Sequence, residues 1–203
     1  MKHSRKSIPP SRVVTPPRAF EGVPQLKTRW ESYRGLFRRA EFPAKAILLR
    51  EGEIPTKVFF VEKGCLRTNI DRNGKDITTQ FFFENDAVAS IESFRSGRPS
   101  PISILSVEPS TVVVLQKKGF VTLLRDFPEM KDLLLELALR RFEAYSRLFA
   151  SFLTLTPRQR YLALMKSDPR IIERVPQHYV ASYLGITPVS LSRIRKRIQS
   201  NKV

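Results

Sequence analysis

Apolar residues recur along this chain with two different periods, and the period changes near residue 128. Between about residues 40 and 120, short runs rich in Phe, Val, Ile and Thr alternate with turn signals such as Asn73-Gly74. Because Asn-Gly between two such runs favours a hairpin and the runs are evenly spaced, we expect an all-β domain, a double-sheet jelly roll. The runs that we predict as strands are Ala46–Leu49, Val58–Glu62, Cys65–Ile70, Ile77–Phe83, Ile102–Val107 and Thr111–Leu115.

Helical periodicity begins at Pro128 and continues to Phe152. Proline suits the first position of a helix, and Glu129 brings a carboxylate to the first turn, where negative charge is favoured. The apolar surface is wider than one stripe, so this long helix needs two partners, its own β domain and a second subunit. A long core helix in a monomer is the alternative. The residues that we expect at the dimer interface are Leu134, Leu137, Tyr145, Leu148 and Phe152.

The segment from Pro176 to Ile198 predicts a helix-turn-helix, with one helix over Gln177–Leu184 and a second beginning at Pro188. Gly185 tolerates the left-handed conformation that ends a helix. The side chain of Thr187 can cap the second helix, and Pro188 then occupies its first position without losing a hydrogen bond. The three requirements of a tight turn between two helices are therefore met together.

The surrounding residues predict how these two helices are packed. Ala181 is small enough for a close crossing, and Val180, Leu184, Ile186, Leu191 and Ile194 have the spacing that packs the pair against a third helix. That third helix is expected to start at Thr156, which has capping-box spacing to Gln159, and to stop at Asp168-Pro169.

The helical period also predicts which side of the second helix is exposed. If Leu191, Ile194 and Ile198 are buried, the opposite side carries Val189, Arg193 and Lys196. An arginine can make two hydrogen bonds to guanine, and hydroxyl and basic side chains suit phosphates. A solvated basic face on an ordinary helix is the alternative. The predicted DNA-binding residues are Gln177, His178, Thr187, Val189, Ser190, Ser192, Arg193, Lys196 and Arg197.

The net positive charge agrees with a polyanionic partner, and we predict that this partner is double-stranded DNA. The 203 residues carry a formal charge of +17, and from Leu153 onward ten basic residues face only two acidic ones. Cys65 is the one cysteine, which excludes an internal disulfide and a four-cysteine metal site. No apolar run is long enough to span a membrane and none resembles a signal peptide, so we expect a cytoplasmic protein with no membrane partner.

Residues 1–24 combine five prolines with scattered basic residues and lack apolar periodicity. This composition predicts a disordered basic tail. A basic arm that adds non-specific DNA affinity is the alternative.

The chain resembles the Crp/Fnr family of bacterial transcription regulators between Ser32 and Ile198, and most closely its Bacteroidetes-type branch. The sequence segments that carry the resemblance are LLREGE at 48–53, FFVEKGCLR at 59–67, NGKDITTQFFFENDAV at 73–88 and PQHYVASYLGIT at 176–187. The position of the family's base-reading arginine is Arg193, whereas Val189 stands where a glutamate is frequent. Valine offers only an apolar contact, so the resemblance implies a half-site that differs from that of the cyclic-AMP receptor.

The resemblance implies an α+β fold in four parts. After the tail, residues 25–126 would form a cyclic-nucleotide-binding-like jelly roll and residues 127–153 a long dimerisation helix. Residues 154–203 would form a helix-turn-helix domain of winged-helix type. The implied function is a homodimeric regulator that reads an inverted repeat, responds to an effector and contacts RNA polymerase.

The implied effector site departs from the family pattern. Cyclic-AMP-binding relatives carry a Gly-Glu pair for the ribose and an Arg-Ser pair for the phosphate, and the matching positions here are Ala89-Ser90 and Ser100-Pro101. Without the glutamate and the arginine, two charge-assisted hydrogen bonds are lost, which predicts binding about 10²-fold weaker or worse. We therefore expect that cyclic AMP is not the effector, and no cofactor is predicted. Movement of Arg95 or Arg98 into the site is the alternative.

Two other functions are alternatives to a ligand-responsive regulator. Jelly-roll metalloenzymes need about three histidines converging on one metal. The histidines here are His3 and His178, which lie far apart in the sequence, so we predict no catalytic or metal-binding residue and no enzyme. The second rival is a constitutive DNA-binding factor whose β domain serves only as a scaffold for dimerisation and polymerase contact.

Overall fold

The computed structural model describes residues 14–200. It has the predicted α+β character and contains two compact units. Within the described residues, the first unit extends to Leu66 and resumes over Phe82–Leu134. The second unit comprises Arg67–Phe81 and continues from Leu135. Most of the long helix and one β-hairpin therefore belong to the unit that contains the helix-turn-helix.

The strands form two four-stranded sheets, which gives the expected antiparallel β-sandwich. The order is β1-β8-β3-β6 in the first sheet and β2-β7-β4-β5 in the second. All six predicted strands are present, whereas β1 and β6 were not predicted. The bounds are β1 Phe37–Phe42, β2 Ile47–Leu49, β3 Lys57–Lys63, β4 Leu66–Arg72, β5 Lys75–Phe82, β6 Ala87–Val88, β7 Ser103–Ser106 and β8 Ser110–Gln116.

The helices lie at the start of the chain, within the sandwich and throughout its C-terminal part. The bounds are α1 Pro24–Thr28, α2 Trp30–Tyr33, α3 Ile91–Ser96, α4 Lys117–Asp126, α5 Met130–Thr154, α6 Pro157–Ser167, α7 Pro169–Arg174, α8 Gln177–Tyr183 and α9 Pro188–Ser200. The predicted long helix is α5, and the predicted third helix is α6. Helix α7 was not predicted, because Asp168-Pro169 was interpreted only as a stop, although Pro169 is the first residue of this next helix.

Residues 58–61 of strand β3 are an unbroken apolar run because both faces of the strand are covered there. Val58 and Phe60 join a cluster that also contains Trp30, Leu123 and Phe127. Phe59 and Val61, which point the other way, join a second cluster inside the sandwich. A strand buried on both faces loses the alternation of apolar and polar residues that marks a half-exposed strand.

The N-terminal segment corrects one prediction. Residues 1–24 were expected to be disordered, but Phe20 and Val23 are 5% and 0% exposed and belong to the cluster on the outer face of β3. The indole Nε1 of Trp30 donates a hydrogen bond to the carbonyl oxygen of Val14 at 2.9 Å. Two apolar anchors among prolines and basic residues are enough to order residues 14–24. Residues 1–13 of the predicted tail lie outside the described residues.

The hairpin between β4 and β5 has the turn that Asn-Gly predicts. Asn73 and Gly74 both adopt positive φ, at 56° and 77°. Two successive positive φ angles are typical of the two-residue turn whose twist matches that of a β-hairpin. The amide N–H of Gly74 donates to the Asp71 carboxylate at 2.9 Å.

Candidate nucleic-acid interface

A small apolar core holds together the four helices α6 to α9. Its fully enclosed centre is made by Ala181 on α8, with no exposure, and by Leu184 and Leu191, each 1% exposed. Ala181 therefore provides the close crossing expected from its size. The predicted third wall is present, since Tyr161 of α6 is 4% exposed, and Ile171 of the unpredicted α7 closes the core.

The turn between α8 and α9 depends on Gly185. Its φ is 67°, and its amide donates to the carbonyl of Ser182 at 3.0 Å, while the amide of Ile186 donates to that of Ala181 at 3.0 Å. These are the bonds of a left-handed helix ending. A Cβ atom at residue 185 would lie 2.8 Å from Cε1 of Phe152, so a side chain at this position would have to displace that ring.

The start of α9 is capped as predicted. The Oγ1 atom of Thr187 accepts a hydrogen bond from the backbone N–H of Ser190 at 3.1 Å, and the two hydroxyl oxygens lie 3.0 Å apart. Pro188 occupies the first helical position. Helix α6 begins in a similar way, with a capping box in which Thr156 and Gln159 bond each other's backbone N–H groups. Both starts fix the direction in which a helix leaves its turn.

One side of α9 is open to solvent. Val189 is 61% exposed, and Arg193 and Lys196, one and two turns further on, are exposed as well. The opposite side carries the buried Leu191 and the half-buried Ile194. In the described part of the chain, neither Arg193 nor Lys196 forms an ion pair, so their charges are available to a partner.

The other predicted DNA-binding residues surround this open side or lie at the start of α8. Ser190 is half-buried beside Thr187, and its hydroxyl belongs to the cap. The ring of His178 lies beside that of Tyr179, with ring centroids 3.9 Å apart and the two planes tilted by 52°. Those that are exposed are Gln177, His178, Thr187, Ser192 and Arg197.

Few acidic side chains oppose these basic residues. Of the two carboxylates after Leu153, that of Asp168 is already occupied by Arg170, with two N–O distances of 2.9 Å. The excess of basic residues in this segment is therefore not neutralised within it. A surface of this charge attracts phosphate backbones over several ångströms.

The five residues predicted at the dimer interface differ in how exposed they are and in whether they contact their own protomer. Leu134, Leu137 and Leu148 are half-buried within the protomer. The hydroxyl of Tyr145 donates to Oε1 of Gln80 at 2.8 Å, so it too has a partner in its own chain.

Phe152 also contacts its own protomer. Its ring reaches the turn at Gly185, and the guanidinium of Arg160 lies 4.8 Å from the ring centroid. Tyr145 and Phe152 are 47% and 41% exposed, and the apolar residues of α5 that are more than half exposed are Leu135, Leu139, Phe142, Phe149 and Leu153.

The four positions of the implied effector site lie around the short helix α3, as the resemblance implies. Ser90 and Ser100 are 3% and 2% exposed, and their hydroxyl oxygens lie 2.9 Å apart. The Ser100 hydroxyl also lies 2.7 Å from the carbonyl oxygen of Ile102. These hydroxyls are therefore occupied by each other and by backbone. Ala89 is half-buried and Pro101 is exposed.

The basic side chains near these four positions are exposed or bonded elsewhere. Arg95 and Arg98 are exposed. The Lys117 ammonium donates to the carbonyl of Phe94 and lies 5.2 Å from the centroid of its ring. In the described residues, no group of three or more metal-ligating side chains could hold a metal ion, and no helix is long and apolar enough to cross a membrane.

Fold and site together define the class of protein that joins an antiparallel β-sandwich, through a long helix, to a C-terminal helix-turn-helix. Residues 39–127 match the family model of the cyclic nucleotide-binding domain. A comparison with curated protein sequences gave no match.

Solved structures of regulators share this fold. FixK2 from Bradyrhizobium japonicum is 14% identical, with a TM-score of 0.71 over 81% of this chain and 85% of that one. The c-di-GMP responsive global regulator CLP of Xanthomonas campestris is 14% identical, with a TM-score of 0.70 over 86% and 92%. The catabolite activator protein of Thermus thermophilus is 17% identical, with a TM-score of 0.55 over 91% and 88%. The fold that the resemblance to Crp/Fnr regulators implies is therefore confirmed, while the branch stays a prediction.

Replacing Gly185 with alanine is expected to destabilise the helix-turn-helix more than the same change at Gly74. Both glycines have positive φ, which costs alanine roughly 1 kcal/mol. A Cβ at residue 74 meets nothing within 4 Å, whereas at residue 185 it would overlap Phe152. Thermal unfolding followed by circular dichroism should therefore show the larger loss for Gly185→Ala. Phe152→Ala should recover part of it. Equal losses in the two alanine variants would contradict the steric role of Phe152.

Proposed function

We propose that this protein is a sequence-specific transcription regulator that binds double-stranded DNA through α9 in the major groove. The observation that carries the proposal is the open side of α9, where Val189, Arg193 and Lys196 are exposed on a helix whose start is capped. A rigid start matters because base contacts require side chains to be placed within hydrogen-bonding distance of specific atoms.

The side chains of this surface suit different parts of DNA. Arg193 has the donor pair that matches the O6 and N7 atoms of guanine, and Val189 suits the methyl group of thymine. The proposed phosphate contacts come from hydroxyl, amide, imidazole and basic groups, which set the register of the helix on DNA without reading sequence. They are Gln177, His178, Thr187, Ser190, Ser192, Lys196 and Arg197.

Selection of bound duplexes from a random pool tests this function. The wild type is expected to select an inverted repeat with half-sites about 10–10.5 base pairs apart, centre to centre. Arg193→Ala should lose discrimination at one position per half-site, a change of roughly 1–3 kcal/mol. As the matched control, Lys196→Ala should weaken all duplexes alike and lower the salt slope by about one. If the wild type selects no preferred sequence, the proposed function is wrong.

The proposed regulator is a homodimer whose subunits meet along α5. Its exposed apolar residues Leu135, Leu139, Phe142, Phe149 and Leu153 are between 54% and 72% exposed. Their spacing is the alternation of four and three residues that forms the seam of paired helices, with Ser146 at the one position that is not apolar. A second copy of the same helix satisfies this seam, since it offers the same apolar surface in return. Of the interface residues predicted from the sequence, Tyr145 and Phe152 are also exposed, whereas Leu134, Leu137 and Leu148 are half-buried.

Charges placed in this seam should prevent dimerisation. The double variant Phe142→Asp and Phe149→Asp is expected to sediment as a monomer, because two carboxylates per chain would be buried without partners. Val121→Asp is a suitable control, since Val121 is 57% exposed but lies on α4. Analytical ultracentrifugation makes the measurement. A monomeric wild type, or a seam variant that stays dimeric, would rule out this interface.

The proposed sensor does not use cyclic AMP as its effector. Support comes from the hydroxyl pair of Ser90 and Ser100, which occupies positions where relatives carry charged ligands for the nucleotide. A buried phosphate would lack its countercharge there. The alternative, a constitutive factor whose β domain only aids dimerisation and polymerase contact, has the same support. A contact with RNA polymerase remains a prediction.

Isothermal titration with cyclic AMP and cyclic GMP is expected to detect no micromolar binding, because two charge-assisted hydrogen bonds are missing and each contributes about 1.5–3 kcal/mol. Micromolar binding of either nucleotide would overturn this part of the proposal. A thermal-shift screen of other nucleotides and metabolites separates the two alternatives. Reproducible stabilisation by one compound favours a sensor, and none favours a constitutive factor.

A further inference from the structure

The β4–β5 hairpin is docked on α8, the first helix of the helix-turn-helix. The Ser182 hydroxyl accepts a hydrogen bond from the backbone N–H of Thr78 at 3.0 Å and donates one to the carbonyl of Asp76 at 2.8 Å. One hydroxyl of α8 thus satisfies a backbone donor and a backbone acceptor of β5, which is the edge strand of its sheet. Beside it, the rings of Phe81 and Tyr183 meet edge to face, with centroids 5.3 Å apart.

A buried arginine makes a further contact between the hairpin and α8. Arg67 is 1% exposed, and its guanidinium lies 3.8 Å from the centroid of the Tyr179 ring. Its Nη1 atom donates to Asp76 Oδ1 at 2.7 Å and to Thr78 Oγ1 at 2.9 Å, and Nη2 bonds the other Asp76 oxygen. Such burial of a cation is costly unless it is paired. Stacking on Tyr179 joins that pairing to the helix.

The carboxylate of Asp76 is held in its charged form by this arrangement. Burial alone would raise the pKa of Asp76, but the hydrogen bond and the charge of Arg67 outweigh it and lower the pKa below its usual value. Asn69 adds a further hydrogen bond, from Nδ2 to Oδ1 at 2.9 Å. The network is therefore ionic at neutral pH, and it orients the face of Arg67 toward Tyr179.

The same hairpin is also fixed to the long helix α5. The Gln80 side chain accepts a hydrogen bond from the hydroxyl of Tyr145 at 2.8 Å. Burial, with Tyr145 and Asp168 nearby, raises the pKa of Tyr183 to about 12, so this hydroxyl is neutral in the docked arrangement. The hairpin therefore bridges α5 and α8, in addition to the contact that Phe152 of α5 makes with the turn after α8.

Docking leaves the proposed DNA-reading side uncovered. The hairpin occupies Tyr179, Ser182 and Tyr183, which share one face of α8. Val189 and Arg193 on α9 remain exposed while the hairpin is in place. The docked arrangement is thus compatible with DNA contact, which favours a role in positioning over a role in blocking.

We propose that the β4–β5 hairpin is a clamp that positions the helix-turn-helix on α5, with Arg67 and Ser182 as its positioning residues. This inference rests on the proposed function. A dimer must place two copies of α9 on half-sites at a fixed separation, and a domain that is free to rotate loses orientational freedom when it binds. A clamp that fixes the orientation beforehand raises affinity for the paired site without adding a DNA contact.

Ser182→Ala tests the clamp in the full-length protein, because it removes both hydrogen bonds to the hairpin and leaves Arg67 paired. We expect about tenfold weaker binding to the selected inverted repeat, the effect of losing one or two hydrogen bonds, and unchanged binding to a single half-site duplex. Ser182→Thr keeps the hydroxyl and should restore affinity. Ser200→Ala is the matched control, since the Ser200 hydroxyl bonds only the backbone of its own helix.

Three outcomes would overturn the proposal: unchanged affinity for the inverted repeat, equal losses on repeat and half-site, or tighter binding, which would mean that the clamp restrains the domain. Hydrogen–deuterium exchange without DNA separates this inference from the proposed function. Ser182→Ala should speed exchange in residues 67–81 and in α8 while α6 keeps its protection. Unchanged exchange would exclude the clamp, whether or not the protein binds DNA.

Discussion

The left-handed turn at Gly185 fixes the geometry on which the proposed DNA-binding surface depends. The turn ends α8 by hydrogen bonds to Ser182 and Ala181, and two residues later Thr187 caps α9. Between these fixed points the chain has little freedom, so the crossing of the two helices follows from local bonds and from the absence of a side chain at Ala181 beyond its Cβ. The exposed side of α9 is then the side opposite Leu191. Phe152, at the end of α5, contacts the glycine and joins this turn to the long helix.

The β-sandwich core and the docking of the β4–β5 hairpin on α8 depend on different kinds of contact. The β-sandwich is closed by apolar side chains on both faces of β3, a non-directional contribution of roughly 25 cal/mol per Å² of buried apolar surface. The hairpin residues 67–81 are instead joined to the C-terminal helices by directed contacts, among them an ion pair, a stacked arginine and hydrogen bonds to Ser182. Hydrogen bonds and ion pairs contribute less to the free energy of folding than the burial of a large apolar surface does. They nevertheless specify one arrangement of the hairpin and the helix. Such contacts suit a junction whose geometry matters more than its strength.

Sequence reasoning recovered the elements whose signals are local. The capping box at Thr156, the glycine at 185 and the Asn-Gly hairpin each need only a few neighbouring residues, and each is present where it was predicted. It missed features that depend on distant partners. Phe20 and Val23 lie in a proline-rich basic segment, and only the outer face of β3 explains why they are buried. The most exposed face of α5 could not be predicted from a helix that is apolar almost all round, so Leu134, Leu137 and Leu148 of the suggested interface are half-buried in the protomer. The docking of Arg67 on Tyr179 joins residues more than a hundred positions apart, and no local pattern indicates it.

The central claim is that Arg193 reads a guanine from the major groove, and methylation interference tests it directly. A methyl group on guanine N7 occupies the acceptor that Arg193 is proposed to use. We predict that methylation of one guanine in each half-site prevents binding by the wild type and does not affect the residual binding of Arg193→Ala. Methylation of adenine N3, in the minor groove, should leave wild-type binding unchanged. Loss of binding only on minor-groove methylation, or the same guanine interference in Arg193→Ala, would contradict the account.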